Sequence, residues 1–64
     1  MKLRFYEDSA DGDYSIIEDR EGLAAPRVGD EVALMDGDTT RYYLVKEVLW
    51  NYPEERVCIF MQEE

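Results

Sequence analysis

The stretch that decides the fold runs from Pro26 to Met61. It contains Pro26-Arg27-Val28-Gly29-Asp30-Glu31-Val32, then Tyr43-Leu44-Val45-Lys46-Glu47-Val48-Leu49-Trp50, then Val57-Cys58-Ile59-Phe60-Met61. In these runs apolar residues recur at every second position, which is typical of β-strands. Turn-forming Gly, Asp, Asn and Pro residues stand between the runs. This arrangement predicts a small, strongly bent antiparallel sheet.

The same alternation, extended to the whole chain, predicts five strands. They cover Lys2–Glu7, Tyr14–Asp19, Glu31–Met35, Arg41–Trp50 and Arg56–Met61. A loop over Asp8–Asp13 joins the first two strands, and the Asp36–Thr40 segment, which contains Asp-Gly, closes a hairpin. A short helical turn near residues 20–25 is an alternative, because Ser15 and Glu18 have the spacing of a capping box.

The residue patterns of the fourth and fifth strands predict further details of the sheet. In the fourth strand Tyr43 and Val45 have one parity and Val48 and Trp50 the other, so a bulge near Lys46-Glu47 is needed to bring all four to one face. With such a bulge, Trp50 has the same core-facing parity as Val48 and is predicted to be a core residue. The last strand is apolar on both faces, which predicts a central strand or one covered on both sides.

Five short strands in 64 residues indicate a single small β domain that spans residues 1–64. An SH3-like barrel fits this length better than an OB-fold, which usually needs more residues and a helix. The predicted fold class is therefore all-β, as a five-stranded antiparallel SH3-like barrel or strongly bent sheet.

The pattern P-x-V-G-[DE]-x-V, then Y-x-V-x-x-V-x-W, then an alternating final strand resembles short uncharacterised phage and bacterial proteins. The resemblance covers about residues 26–61 and leaves out the acidic first third of the chain. It implies an SH3-like or related β-fold and a phage or mobile-element setting, and it implies no activity. The polar segment from Asp8 to Glu21 is where this chain would have a function of its own.

The charge balance narrows the choice of partners. Sixteen acidic residues stand against seven basic ones, for a net charge of −9 spread along the chain. Such a field repels nucleic-acid backbones and anionic membranes, so neither is an expected partner, whereas it attracts basic surfaces. No apolar run is long enough to cross a membrane, and Cys58 is the single cysteine. We therefore expect a cytoplasmic protein with Cys58 as a buried thiol.

The chemistry of the side chains argues against catalysis. The chain has no histidine, which removes the commonest general base and the usual nucleophile dyads. No phosphate-binding loop or zinc spacing occurs, so we expect no enzyme activity and no cofactor. Calcium bound by Asp11, Asp13, Asp36 and Asp38 remains an alternative if the two loops meet in space.

Protein binding is the predicted function, and carboxylates placed along a rigid β-surface suggest how it would work. They can imitate the phosphates of a nucleic acid and occupy a basic surface of a host protein. Exposed tyrosines would add interface energy. The candidate contact residues are Asp8, Asp11, Asp13, Glu18, Asp19, Glu21, Asp36, Asp38, Tyr6, Tyr42 and Tyr52. The alternatives are an SH3-like peptide groove formed by Tyr6, Tyr42, Trp50, Tyr52 and Pro53, and a structural domain that pairs its strand edges in a homodimer.

Overall fold

The computed structural model describes residues 1–9, 11–22 and 24–64. Five strands account for most of them. They are β1 (Lys2–Asp8), β2 (Tyr14–Glu21), β3 (Glu31–Asp36), β4 (Thr39–Asn51) and β5 (Arg56–Glu63). The strands form one mixed sheet that is curled into a half-barrel. The prediction of a small, barrel-like all-β domain is confirmed.

No helix occurs among the described residues. The helical turn expected near residues 20–25 is wrong for the part that can be described, because β2 continues as a strand to Glu21. Ile16 and Ile17 are β-branched and favour the extended chain, which outweighs the capping-box spacing of Ser15 and Glu18. Leu23 lies outside the described residues. Nothing long and apolar enough to span a membrane as a helix is found in the described part of the chain.

The strand order is β2-β1-β5-β4-β3. Three of the four neighbouring pairs are antiparallel, but β1 and β5 run parallel, from the Lys2–Arg56 pair to the Glu7–Met61 pair. This pair differs from the antiparallel pairing expected throughout. The alternation of apolar residues indicates which face of the sheet a side chain occupies. It is the same in parallel and antiparallel strands, so the sequence pattern could not reveal the parallel pairing.

The predicted bulge in β4 is confirmed. The pairing with β5 shifts between Val45 and Glu47, which leaves Lys46 as the extra residue. Val45 then pairs with Met61 and Val48 with Ile59, so both valines point to the same face of the sheet. A bulge also bends the strand and increases its twist, which helps to curl the sheet.

The core lies on the concave face of the half-barrel. β5, at the centre of the sheet, contributes Val57, Ile59 and Met61, of which Ile59 and Met61 have no exposed surface. The complete buried cluster is Leu3, Phe5, Leu34, Tyr43, Val45, Val57, Ile59 and Met61, against which Ala25, Val32 and Val48 pack. The prediction of a central last strand is therefore confirmed.

Trp50 is not part of this core. It pairs with Val57 near the end of β4 and keeps 49% of its surface exposed. The bulge does give it the parity of Val48, but the buried cluster does not extend past Val57. The prediction of a core tryptophan is wrong because strand parity sets the face of a side chain and not how far the core reaches along the strand.

The connector between β2 and β3 is attached to the sheet at two points. The amide of Gly29 donates a hydrogen bond to the Val45 carbonyl, and the amide of Val45 donates one to the Asp30 carbonyl. Gly29 has a φ of 94°, a left-handed conformation that glycine adopts at little cost and that the Val-Gly-Asp turn predicts. These bonds hold the connector against β4 and seat Ala25 on the concave core.

Candidate partner-binding surfaces

The two acidic turns lie at the same end of the sheet. β1 ends and β2 begins there, where Asp8 pairs with Tyr14, and β3 ends there, where Asp36 pairs with Thr39. We call this region the acidic end, and it comprises Asp8, Asp11, Asp13, Asp36, Asp38 and Glu63. It therefore collects five of the predicted contact carboxylates.

Hydrogen bonds link the described residues of the first acidic turn. The amide and the hydroxyl of Ser9 both donate to the Asp13 carbonyl at 2.8 Å, and the amide of Gly12 donates to the Ser9 carbonyl at 3.1 Å. Asp11 and Asp13 are both exposed. Their carboxylates are therefore accessible to a partner.

Few cations neutralise the acidic end. Among the described residues the ion pairs there are those of Arg41, whose guanidinium lies 3.1 Å from Asp36 and 3.5 Å from Glu63. Arg41 accordingly has a raised pKa, through the charges of Glu63 and Asp36. The carboxylates of Asp11, Asp13 and Asp38 have no such pair within the described ranges.

The other three predicted carboxylates, Glu18, Asp19 and Glu21, are on β2 and have cationic neighbours. Asp19 accepts two hydrogen bonds from the Arg4 guanidinium, at 2.7 and 3.2 Å, and Glu21 accepts one from the terminal amine of Met1 at 3.2 Å. The Nε of Arg20 lies 2.7 Å from Oε2 of Glu18 but is not oriented to donate a hydrogen bond to it. The structure thus separates the predicted contact carboxylates into a paired group on β2 and a largely unpaired group at the acidic end.

The Arg4–Asp19 pair should make stability depend on pH in acid. The hydrogen bonds from Arg4 hold the pKa of Asp19 below its ordinary value of 3.8. The folded protein therefore holds this proton less tightly than the unfolded chain, and the stabilisation is complete above pH 3.8 and disappears as the pH falls through the lower folded value. In urea titrations between pH 5 and pH 2, Asp19→Asn should flatten this decline.

Arg4→Gln is the matched control, because it removes the cation and leaves the carboxyl group. It should flatten the decline in the same way. A wild-type slope in both variants would show that the pair contributes nothing to acid unfolding.

The aromatic residues predicted to form one peptide groove are on different surfaces. Trp50 and Tyr52 line a cleft of about 250 Å³ at the end of the sheet opposite the acidic end, together with Met1, Lys2 and Val57. Tyr42 is exposed on β4, and its carbonyl accepts a hydrogen bond from the Glu64 amide. Tyr6 is on β1 and packs against Phe60 of β5, so it lies away from the cleft.

Like charges are crowded beside Tyr42. A hydrogen bond between the side chains of Glu64 and Glu31 raises the pKa of Glu64, and the loss of solvent around it acts in the same direction. The two carboxyl groups thus lie close together, and their like charges repel when both are ionised. A cation brought to this site by a partner would relieve the repulsion between them.

The convex face of the sheet carries an apolar cluster that the sequence reasoning did not single out. The rings of Tyr6 and Phe60 are stacked, with centroids 4.7 Å apart and planes 15° apart, and Tyr14 meets Phe60 edge-on at 4.8 Å. The pairing places Ile16 beside Tyr6, and Leu49 beside Cys58. We call the set the convex patch, and it consists of Tyr6, Tyr14, Ile16, Leu49, Cys58 and Phe60.

Cys58 forms the floor of the convex patch. It is 4% exposed, and its sulfur lies 3.9 Å from the Tyr6 hydroxyl, so the prediction of a buried thiol is confirmed. The apolar parity of Cys58 and Phe60 in β5 was a partial sequence signal for this cluster, since it predicts that the second face of the strand is also apolar.

The fold does not place the four candidate calcium ligands in one site. The two acidic turns belong to opposite edges of the sheet, one joining β1 to β2 and the other joining β3 to β4. Within residues 1–9, 11–22 and 24–64, no group of three or more Asp, Glu, Cys or His side chains is placed to hold a metal ion.

Comparisons with known proteins add no family to these observations. No protein-family model, no curated protein and no solved structure matches the chain. The resemblance to short phage and bacterial proteins therefore stays a prediction.

Proposed function

We propose that this protein is a non-enzymatic binding module whose acidic end occupies a basic, nucleic-acid-binding surface of another protein. The supporting observation is the concentration of carboxylates at one end of the sheet, with Arg41 as the cation that pairs with them among the described residues. Together with the net charge of −9, this gives the molecule a strongly negative end. Complementary potentials of this kind speed association and select basic partners.

Inhibition is the form of binding that this proposal favours. A module that covers a nucleic-acid-binding surface competes with the nucleic acid for the same lysines and arginines. The setting implied by the sequence resemblance is a phage or mobile element, and the target would then be a protein of the host cytoplasm. The exposure of Asp11 and Asp13 supports this role, since cationic side chains of a partner can reach both carboxylates.

Capture of partners from bacterial lysate tests the proposal. The tagged protein should retain a nucleic-acid-binding protein at about 50 mM salt and release it at about 200 mM, because contacts of this type weaken steeply with salt. The retained partner should also lose its nucleic acid when the module is added, as measured by fluorescence anisotropy of a labelled oligonucleotide.

A charge-matched pair of variants locates the contact. Asp11→Asn, Asp13→Asn and Asp38→Asn together remove three charges from the acidic end, and Glu21→Gln, Glu54→Gln and Glu55→Gln remove three charges elsewhere. The first variant should bind the captured partner about tenfold more weakly, whereas the second should stay close to wild type. Equal losses in both variants would refute the acidic end as the contact surface.

Self-association is the second candidate function. β2 and β3 are the two edges of the sheet, each hydrogen-bonded to one neighbour, and Ile16 and Ile17 are exposed on β2. Unpaired strand edges of this kind can pair with another copy. Sedimentation equilibrium at low and high salt decides the question, since a homodimer held by strand edges would grow stronger as salt screens the charge of −9.

A further inference from the structure

The convex patch is an apolar surface that the described part of the chain leaves uncovered. Ala25, in the connector between β2 and β3, packs against the concave core and so lies on the other side of the sheet. Ile16 is 54% exposed, Leu49 48% and Tyr14 43%, and they surround the half-buried rings of Tyr6 and Phe60. Contiguous apolar patches with polar borders mark interaction sites on small soluble proteins.

The patch is ordered before any partner arrives. The stacked rings of Tyr6 and Phe60 come from neighbouring strands, and Tyr14 fixes the stack from β2. Cys58 and the central β5 strand support the rings from below. A rigid aromatic surface loses little side-chain freedom on binding, and aromatic anchors dominate interface energy.

Carboxylates border the patch and define the charge of its occupant. Asp8 pairs with Tyr14 at one side, Asp13 precedes Tyr14, and Glu47 pairs with Phe60 at the other. Among the described residues none of these three carboxylates has an ion pair. The neighbouring cations are Lys46 in the bulge and Arg4, which lies beside Cys58. Arg4 is already paired with Asp19, so the border formed by these three carboxylates remains negative.

A second copy of this chain does not fit that border. An isologous contact would bring the same acidic border of two copies together, and each copy carries a net charge of −9. The complementary surface has apolar side chains at its centre and lysine or arginine around them. This charge complementarity selects a cationic partner.

The shape of the patch favours a helix. Its members come from β2, β1, β5 and β4, which at a strand spacing of about 4.8 Å extend over about 14 Å. Two to three turns of an α-helix, about 11 to 16 Å long and about 10 Å wide, cover such an area. An extended peptide would instead add to a free strand edge, and the patch lies on the face of the sheet.

We infer that the convex patch is the docking site for a cationic amphipathic helix of the partner protein, which inserts its apolar face between Tyr14, Phe60 and Leu49 while its basic residues meet Asp8, Asp13 and Glu47. The inference rests on the proposed function and adds a specific contact to it. The acidic end supplies attraction to basic proteins in general, and the convex patch selects those that carry such a helix.

Two synthetic peptides of identical composition test the inference. One is an 18-residue leucine–lysine peptide in which the leucines fall on one helical face, and the other has the same residues in an order that disperses them. Titrations followed by ¹⁵N–¹H NMR should show the amphipathic peptide binding at least tenfold more tightly, with shifts at Tyr6, Tyr14, Leu49 and Phe60.

The outcomes separate this inference from the proposed function. Equal, salt-sensitive binding of both peptides, with shifts confined to the acidic turns, would overturn the convex patch and leave the acidic end in place. Absence of binding by either peptide at low salt would count against both. Tighter binding of the amphipathic peptide with shifts at Trp50 and Tyr52 would place the site in the cleft and overturn the convex patch.

A matched pair of variants completes the test. Ile16→Ser with Leu49→Ser removes two exposed apolar side chains of the patch and should lower affinity for the amphipathic peptide about tenfold without affecting the dispersed one. Val28→Ser, at a 65% exposed position in the turn before β3, is the control and should bind as wild type does. A spectrum with wild-type dispersion shows that each variant is folded, and a folded double variant with unchanged affinity would overturn the inference.

Discussion

Replacing Ile59 with alanine is expected to unfold a large fraction of the molecules at 25 °C. Ile59 lies on the central strand with no exposed surface, between Phe5 of β1 and Val48 of β4. Truncation of a buried isoleucine to alanine costs about 2 to 5 kcal/mol, through lost burial and the cavity left behind. A domain of this size has a total stability of about 3 to 10 kcal/mol, so the loss is comparable with the whole.

Urea unfolding followed by Trp50 fluorescence and circular dichroism measures this effect. Ile16→Ala is the matched control, because it is the same chemical change at a residue 54% exposed on the edge strand β2. It should cost less than about 1 kcal/mol, as exposed substitutions usually do. Similar losses in the two variants would contradict the placement of the core on the concave face of β5.

Insertion of one alanine between Lys46 and Glu47 is the second change with a large expected effect. Beyond the insertion each residue of β4 would move one position along β5 and point to the opposite face. Glu47 would then oppose Ile59 in the core, and Val48 would point to the convex face. Because burial of an unpaired carboxylate costs several kcal/mol, we expect a loss of at least about 3 kcal/mol.

Deletion of Lys46 is the informative comparison. It removes the extra residue of the bulge while Val45, Glu47 and Val48 keep their partners on β5, so the apolar residues stay on the concave face. It should cost clearly less than the insertion. An alanine inserted between Asp11 and Gly12 controls for chain length, since surface turns tolerate insertions. If the bulge insertion were as mild as this one, the faces assigned to β4 would be wrong.

The bulge in β4 and the central position of β5 could be predicted because both follow from the alternation of apolar residues along the strands. Val45 and Val48 have opposite parity, and only an extra residue brings both to one face. Apolar residues on both faces of β5 are typical of a strand at the centre of a sheet. The parallel pairing of β1 and β5 could not be predicted, because strand direction leaves no trace in a period-two pattern.

The candidate sites were predictable to different degrees. The turn residues Asp11, Asp13, Asp36 and Asp38 were identified from the sequence, but their gathering at one end depends on the directions of four strands. The ion pair of Asp19 with Arg4 depends on the register of β1 with β2. The convex patch joins residues from four strands, so the parity of Cys58 and Phe60 in β5 indicated its centre but not its extent.

The parallel pairing of the first and last strands also sets the order of events during synthesis. β1 with β2 and β3 with β4 can form two hairpins as the chain emerges from the ribosome, but these hairpins share no ladder until β5 enters between them. Lys2 pairs with Arg56, so the decisive contacts join the two ends of the chain. Folding of such a topology is slow, and its intermediates expose apolar strands. We therefore expect the core to be completed late, when Ile59 and Met61 of β5 become available.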